Sequence, residues 1–193
     1  MRSTGIVLAA GASTRMGEPK QLLRVRGRPL LELVVSAACD SPLDDVVVVL
    51  GAGAELIRDR IAWGRARVVV NPDFAAGMSS SLHAGLRTLG DTVERAVVIL
   101  GDQPDVTSSL LADLLVAQEV SGLPAAALSF DGLLHPPVVL ARQLWGGLMS
   151  IEGDIGCRQL IRARPELVAA VPAPIAAGHP IDIDTPEDLV DAG

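Results

Sequence analysis

The chain has 193 residues, of which 49% are hydrophobic and 20% are charged, and its formal net charge is −7. This length and composition predict one globular domain over residues 1–193 and exclude an intrinsically disordered chain. The negative charge and an aromatic content of only 2% argue against a nucleic-acid partner, because such proteins present cations to phosphates and aromatic rings to bases.

The two cysteines, Cys39 and Cys157, fit no paired metal-binding spacing. They are typical of a reduced compartment, and we expect a cytoplasmic protein. The first 12 residues lack the charged start and long apolar core of a signal peptide. No run approaches 18 apolar residues, so no membrane partner is expected.

Short apolar runs alternate with longer segments of helical periodicity, a pattern typical of βαβ units. We predict strands at residues 5–10, 44–50, 67–70, 95–100, 125–128, 135–140 and 167–171. We predict helices at residues 30–38, 54–61, 77–89, 108–120, 144–149 and 158–163, with a last extended segment at 181–184 and a helix after it. The fold class is therefore α/β, with a mostly parallel central sheet and helices on both faces.

The first strand leads into a loop of small residues that ends in two cations, Arg15 and Lys20. Small residues let a backbone approach a ligand closely, and successive loop amides can form an anion-binding nest. The loop lacks both the Gly-x-x-x-x-Gly-Lys-Ser/Thr motif and the Gly-x-Gly-x-x-Gly motif. It therefore predicts a phosphate site of another kind, in which Arg15 and Lys20 neutralise charge.

Three aspartates suggest a metal site beside this loop. Asp102 follows the buried strand at residues 95–100, and open α/β sheets bind ligands beyond the carboxyl ends of their strands. Asp182 and Asp184 alternate in an extended segment and so share one side of it. Proteins hold Mg²⁺ with one or two carboxylates together with phosphate oxygens of the substrate. The alternative for Asp102 is a structural turn residue that caps local amides.

A second candidate ligand-binding segment starts at Gly77, where Ser79, Ser80 and Ser81 precede an apolar periodic segment. These serines are candidate N-caps for the helix that begins here. A helix N-terminus is also an anion-binding site. We therefore expect this segment to cap the helix and to contact a ligand.

Six motifs that span nearly the whole chain resemble the MobA-like nucleotidyltransferase family, which includes cytidylyl- and guanylyltransferases of the molybdenum cofactor. The motifs are Leu8-Ala9-Ala10-Gly11-x-Ser13-x-Arg15-Met16-Gly17-x-x-Lys20, Gly77-Met78-x-x-Ser81-Leu82, Gly101-Asp102-Gln103-Pro104, His135-Pro136-Pro137, Gly153-Asp154-x-Gly156-x-Arg158 and Asp182-Ile183-Asp184-Thr185-Pro186-Glu187-Asp188-Leu189. The resemblance implies a Rossmann-like fold of the nucleotide-diphospho-sugar transferase type.

The resemblance also implies a reaction: Mg²⁺-dependent transfer of CMP from CTP to the phosphate of a molybdopterin-type cofactor, with release of pyrophosphate. A molybdoenzyme or its chaperone is implied as a further partner. Arg15, Lys20 and Asp102 are implied to be catalytic. Asp102 is implied to bind the metal together with one of Asp182 and Asp184, of which Asp182 is favoured. The implied nucleotide-binding residues are Leu8, Ala9, Ala10, Gly11, Ser13, Arg15, Lys20, Asn71, Gly77, Ser81 and Asp102. The implied acceptor-binding residues are His135, Asp154, Arg158 and Asp184.

Ala10 favours CTP, because family members that use CTP tend to have Leu-Ala-Ala-Gly where those that use GTP have Leu-Ala-Gly-Gly. Its methyl group narrows the space near the base. The alternatives are GTP as donor, another phosphorylated small molecule or a sugar phosphate as acceptor, and a non-catalytic accessory protein that binds nucleotide or cofactor. Cys157 departs from relatives that often carry alanine at this position. It lies in the loop Gly153–Arg158, which the resemblance assigns to acceptor binding, and this position predicts inhibition by thiol reagents.

Overall fold

The computed structural model describes residues 1–12, 19–154 and 156–173. The strands in these ranges are β1 (Ser3–Ala9), β2 (Arg24–Val25), β3 (Arg28–Pro29), β4 (Asp45–Leu50), β5 (Arg67–Val70), β6 (Arg95–Leu100), β7 (Ala125–Phe130), β8 (Leu133–Ala141) and β9 (Val168–Pro172). The α-helices are α1 (Leu30–Cys39), α2 (Ala54–Arg58), α3 (Met78–Arg87), α4 (Ser108–Ser121), α5 (Trp145–Leu148) and α6 (Arg158–Ala163). Short 3-10 turns span Lys20–Leu22, Phe74–Ala76, Arg142–Leu144 and Pro165–Leu167.

Seven strands form one sheet in the order β5-β4-β1-β6-β8-β7-β9, and β2 and β3 form a separate small hairpin. Within the seven-stranded sheet β8 is antiparallel to both of its neighbours, and the other strands run in one direction. The central strands β1, β4 and β6 are apolar beyond their first residues because helices cover both faces of the sheet. The predicted mostly parallel α/β fold is confirmed.

The core lies in two layers, one on each face of the sheet. On one face α1 and α4 pack Leu31, Val34, Leu111 and Leu114 against the sheet. On the other face α3, α5 and α6 contribute Leu82, Leu86, Leu148 and Ile161. In the part of the chain that the structure describes, no helix has the length and apolar character needed to cross a membrane.

Several predicted boundaries agree with the structure, among them both ends of β5 and β6 and the end of α6. Thr107 caps α4 as its sequence position suggests, because its Oγ1 accepts a hydrogen bond from the Leu110 amide at 3.2 Å. The final extended segment and the helix after it lie outside the described residues.

The helix predicted over residues 54–61 is too long, since α2 ends at Arg58. The Arg60 amide donates to the Ile57 carbonyl at 3.1 Å rather than to the Leu56 carbonyl, so the helix ends in a tighter turn. Beyond this turn the Trp63 indole donates to the Arg58 carbonyl at 2.9 Å, and the Ala62 amide donates to Glu32 Oε2 at 3.1 Å. Glu32, which is distant in sequence, thus takes one of the amides that a longer helix would use.

Candidate active site

The candidate site lies where the carboxyl ends of β1, β4 and β6 meet. Ala9 is in register with Leu50 of β4, and Leu8 is in register with Leu100 of β6. Gly51 follows β4, and a methyl group on it would lie 2.6 Å from both the Ala10 carbonyl oxygen and the Phe74 side chain. Glycine at this position therefore allows the chain after β4 to pack against the end of β1.

A pocket of about 520 Å³ opens at this edge of the sheet. It combines the segment after β1, the turn at Lys20–Leu22, the start of α3, the loop after β6 and the segment before α6. The residues that line it are Leu8, Ala9, Ala10, Gly11, Ala12, Lys20, Gln21, Phe74, Ala75, Gly77, Met78, Ser81, Leu100, Gly101, Asp102, Asp154 and Arg158. Ten of the candidate site residues from the sequence are thus brought together in one cavity.

Two of these residues form an ion pair in the pocket. Lys20 Nζ lies 2.6 Å from Asp102 Oδ2. The Lys20 side chain is 19% exposed and the Asp102 side chain 21%, so little water screens the attraction between them. Lys20 is also the single lysine of the chain. The sheet brings the ends of two neighbouring strands together and so joins residues 82 positions apart.

Gln21, which the sequence does not single out, holds the segment after β1 in place. Its side-chain amide donates to the Ala9 carbonyl at 2.9 Å and to the Gly11 carbonyl at 3.1 Å. Gln21 is only 3% exposed. No local pattern could have identified it, because its partners lie ten and twelve positions earlier and become neighbours only after folding.

The start of α3 differs from the prediction that serines cap it. Gly77 is the N-cap, and no side chain caps the helix from that position. The Met78 amide donates to Asp154 Oδ1 at 3.2 Å, and the Ser79 amide donates to the Gly153 carbonyl at 3.1 Å. A segment far along the chain therefore supplies the acceptors that the local serines were expected to provide.

Gly77 permits this docking by its backbone conformation and by its lack of a side chain. Its φ is +101°, a region that favours glycine. A methyl group on Gly77 would lie 2.5 Å from the carbonyl carbon of Gly153. Asp154 and Arg158 line the pocket beside this contact.

Asn71 and His135 do not line the pocket that the described residues form. Asn71 is buried and donates to Ser80 Oγ at 2.9 Å and to Ser81 Oγ at 3.1 Å, so it reaches the pocket only through Ser81. His135 lies on β8, at the end of that strand nearest Asp102. The structure thus places His135 near the site but outside the cavity.

Cys157 is buried, with 3% of its surface exposed. Burial raises the pKa of its thiol from 9.0 to about 12, although a backbone hydrogen bond and Arg158 act in the opposite direction. Because the reactive form of cysteine is the thiolate, this burial opposes the predicted inhibition by thiol reagents at Cys157, which stays a prediction. Cys157 packs in the core layer that α3, α5 and α6 form on one face of the sheet, and this packing shields the thiol.

Four candidate residues, Ser13, Arg15, Asp182 and Asp184, lie outside the described residues, and their roles stay predictions. Among the residues that the structure describes, no group of three histidine, cysteine or acidic side chains could surround a metal. The pocket nevertheless contains the carboxylate of Asp102. One or two carboxylates with substrate phosphates are the usual ligands of Mg²⁺, so this donor set fits a metal that enters with a nucleotide.

Comparison with known proteins identifies the family. A model described as the MobA-like NTP transferase domain matches residues 5–169, which is most of the chain. The chain belongs to the MobA-like nucleotidyltransferase family. Its pocket therefore lies in a nucleotidyltransferase fold, and the predicted family resemblance is confirmed.

Relatives of this MobA-like chain differ in their names. Nicotine blue oxidoreductase of Paenarthrobacter nicotinovorans is 34% identical over 96% of this chain and 94% of its own length. Purine catabolism protein PucB of Bacillus subtilis (strain 168) is 29% identical over 95% of this chain and 92% of its own. The solved structure of Rv0371c from Mycobacterium tuberculosis H37Rv in complex with manganese has a TM-score of 0.85 and 28% identity, and covers 100% of this chain and 98% of that one.

Proposed function

We propose that this protein transfers CMP from CTP to the phosphate of a molybdopterin-type cofactor with the help of Mg²⁺, and releases pyrophosphate. The observation that carries the proposal is the Lys20–Asp102 ion pair in the pocket at the ends of β1 and β6. Nucleotidyl transfer needs a cation for the leaving pyrophosphate and a carboxylate for the metal. A protein that only binds nucleotide does not need both groups in one cavity.

The proposed chemistry requires no covalent nucleophile. The Ala9–Gly11 backbone approaches the triphosphate, and Lys20 stabilises the charge that develops on the leaving pyrophosphate. Arg15 is proposed as a second cation and Ser13 as a further contact in the same loop. Catalysis then depends on positioning and on charge stabilisation in the pocket.

Asp102 would hold the metal, and Asp182 is proposed as the second carboxylate. When bound, Mg²⁺ neutralises phosphate oxygens and orients the triphosphate. A divalent metal is supported by the manganese complex of the mycobacterial relative. Support from this chain is the carboxylate that Asp102 presents to the pocket.

The acceptor is proposed to bind on the side of the pocket formed by Asp154 and Arg158. The planar guanidinium of Arg158 is suited to two parallel hydrogen bonds with a phosphate. Asp184 and His135 are proposed to contact the acceptor from the edge of the pocket. A molybdoenzyme or its chaperone would then receive the product.

The preference for CTP is proposed to depend on Ala10, which lines the pocket and is 8% exposed. The substitution Ala10→Gly removes one methyl group and gives the base more room. We expect the ratio of kcat/KM for GTP to that for CTP to rise about tenfold, the size of effect that one methylene produces in a pocket. An unchanged ratio would show that Ala10 does not select the base.

The test of the proposed function is an assay of pyrophosphate release with CTP or GTP, with and without Mg²⁺. Each nucleotide is offered with molybdenum cofactor and with simple sugar phosphates, and mass spectrometry identifies the product. Asp102→Asn should lower kcat at least about 100-fold, while the matched control Asp105→Asn, whose carboxylate pairs with Arg26 instead, should keep activity. Full activity in Asp102→Asn would overturn the metal assignment.

An oxidoreductase activity is the second candidate, because the relative that is 34% identical is named nicotine blue oxidoreductase. Hydride transfer does not need the Lys20–Asp102 pair. Consumption of NADH or NADPH with nicotine blue, without pyrophosphate release from any nucleotide, would favour this candidate. Binding of CTP with neither activity would favour an accessory protein.

A further inference from the structure

Asn71 follows β5 directly, and one backbone contact fixes the orientation of its side chain. The Asp73 amide donates to Asn71 Oδ1 at 3.0 Å. Because a backbone amide can only donate, the atom that faces it is the side-chain oxygen, and the NH₂ group points the other way. This NH₂ group donates to the hydroxyl oxygens of Ser80 at 2.9 Å and of Ser81 at 3.1 Å. Both serine hydroxyls are therefore acceptors toward Asn71.

The two serines differ in where their own hydroxyl hydrogens go. A hydroxyl that accepts from Asn71 still has one hydrogen to donate. Ser80 Oγ donates to backbone carbonyls, that of Gly77 at 2.8 Å and that of Asp73 at 2.9 Å. Within the part of the chain that the structure describes, no group accepts the hydrogen of the Ser81 hydroxyl.

The acceptor for Ser81 has to come from the pocket. Ser81 is only 4% exposed, and it lines the cavity at the ends of β1 and β6. Buried hydroxyl groups in folded proteins are hydrogen-bonded. A ligand that fills the cavity and displaces its water must therefore offer an acceptor atom to Ser81.

We infer that Asn71 is a positioning residue, which orients Ser81 as a hydrogen-bond donor to the nucleotide. Asn71 itself lies outside the pocket lining, so it acts through Ser81 and does not touch the ligand. The inference rests on the proposed function, since it concerns the same nucleotide. The atom that Ser81 recognises is an acceptor, either on the nucleoside or on the phosphates.

The inference predicts that reversing the polarity of residue 71 reverses the polarity of Ser81. Asn71→Asp keeps nearly the same shape but replaces the NH₂ group by an oxygen, which accepts and cannot donate when the carboxyl is ionised. Ser81 then donates its single hydrogen to the new carboxylate and presents a lone pair to the acceptor atom of the nucleotide. Two acceptors that face each other form no hydrogen bond, so this contact with the nucleotide is lost.

The experiment is a double-mutant cycle that measures the Kd for CTP by isothermal titration calorimetry, with Mg²⁺ and without acceptor. The variants are Asn71→Asp, Ser81→Ala and the two together. Asn71→Ala, which removes the NH₂ group without adding charge, serves as a second variant at this position. The matched control is Ser80→Ala, because it also removes one hydrogen bond of Asn71 but lies outside the pocket lining. Thermal unfolding identifies the variants that are folded.

We expect Asn71→Asp and Ser81→Ala each to raise the Kd for CTP about tenfold, and the double variant to raise it by the same factor, because both changes remove one shared hydrogen bond. Asn71→Ala should have a smaller effect, since the Ser81 hydroxyl can still rotate to donate, and it should add nothing to Ser81→Ala. Ser80→Ala should bind CTP as the wild type does, although it lowers the melting temperature. A purely structural role of Asn71 would instead make its effect independent of Ser81.

Inorganic tripolyphosphate serves as a second ligand and distinguishes the two sources of the acceptor atom. A tenfold loss in Ser81→Ala for both ligands supports the inference and locates the acceptor on the phosphates. A loss for CTP alone supports it and locates the acceptor on the nucleoside. Wild-type affinity for CTP in Ser81→Ala, or effects that multiply to about 100-fold in the double variant, would overturn the inference and leave the proposed function standing. Absence of CTP binding by the wild type would overturn both.

Discussion

Replacing Gln21 with methionine tests whether this buried amide holds the Ala9–Gly11 segment in place. Methionine has nearly the same length and shape, but it cannot donate to the two carbonyls that Gln21 now contacts. Those carbonyls belong to Ala9 and Gly11, on either side of Ala10. Gln21→Met therefore removes both of these hydrogen bonds and adds no bulk.

The expected loss of stability follows from the burial of the two acceptors. The bond to Ala9 is buried, and a buried acceptor left without its donor costs about 1–3 kcal/mol. The bond to Gly11 is partly buried and contributes about 1 kcal/mol. The sum is about 2–4 kcal/mol, which for a domain of this size lowers the melting temperature by roughly 4–16 °C.

Urea unfolding gives the free energy of unfolding, and initial rates of pyrophosphate release give KM for CTP. We expect KM to rise about tenfold in Gln21→Met, because a loosened Ala9–Gly11 segment no longer positions the triphosphate. Gln118→Met is a matched control, since Gln118 is also buried and donates to the Leu123 carbonyl at 2.8 Å, outside the pocket lining. It should lose stability with KM unchanged. Wild-type stability together with wild-type KM in Gln21→Met would refute the reasoning.

Two further predictions concern the start of α3 and the buried thiol. Gly77→Ala should destabilise the fold by about 2–4 kcal/mol, because the new methyl group would overlap Gly153 and because residue 77 has a φ of +101°. In the control Gly90→Ala the new methyl group meets nothing within 4 Å, so thermal unfolding should be unchanged. The folded chain holds the Cys157 proton more tightly than the unfolded chain does. The free energy of unfolding therefore keeps the contribution of the protonated thiol below pH 9 and loses it between pH 9 and about 12. At pH 10.5 the free energy of unfolding is lowered by about 2 kcal/mol. In Cys157→Ala, urea unfolding measured across this pH range should not show this decrease. Thiol labelling at pH 8 should modify Cys39 before Cys157, and equal rates would contradict the burial of Cys157.

The order of strands and helices along the chain could be predicted because it depends on local patterns. β4 is a run of valines ending in leucine, and β6 is a similar apolar run, so both are recognisable as buried strands. Thr107 caps α4 from a position directly before an apolar periodic segment. In each case the determining interactions lie within a few residues.

Other features depend on contacts between distant segments. The antiparallel direction of β8 follows from its pairing with β6 and β7 and leaves no local mark in the sequence. The Ala62 amide that follows α2 pairs with Glu32, and the cap of α3 depends on Asp154. A pattern read over one helix cannot contain these partners.

The candidate site shows the same division between local and long-range determinants. The sequence by itself determined that Lys20 and Asp102 are a cation and a carboxylate that follow β1 and β6. Only the tertiary structure decided that they form an ion pair at 2.6 Å and that Gln21 holds the backbone of Ala9 and Gly11 at the end of β1. The physical reason is that residue type and strand position are local properties, whereas an ion pair and a buried hydrogen bond require the sheet that brings the strand ends together.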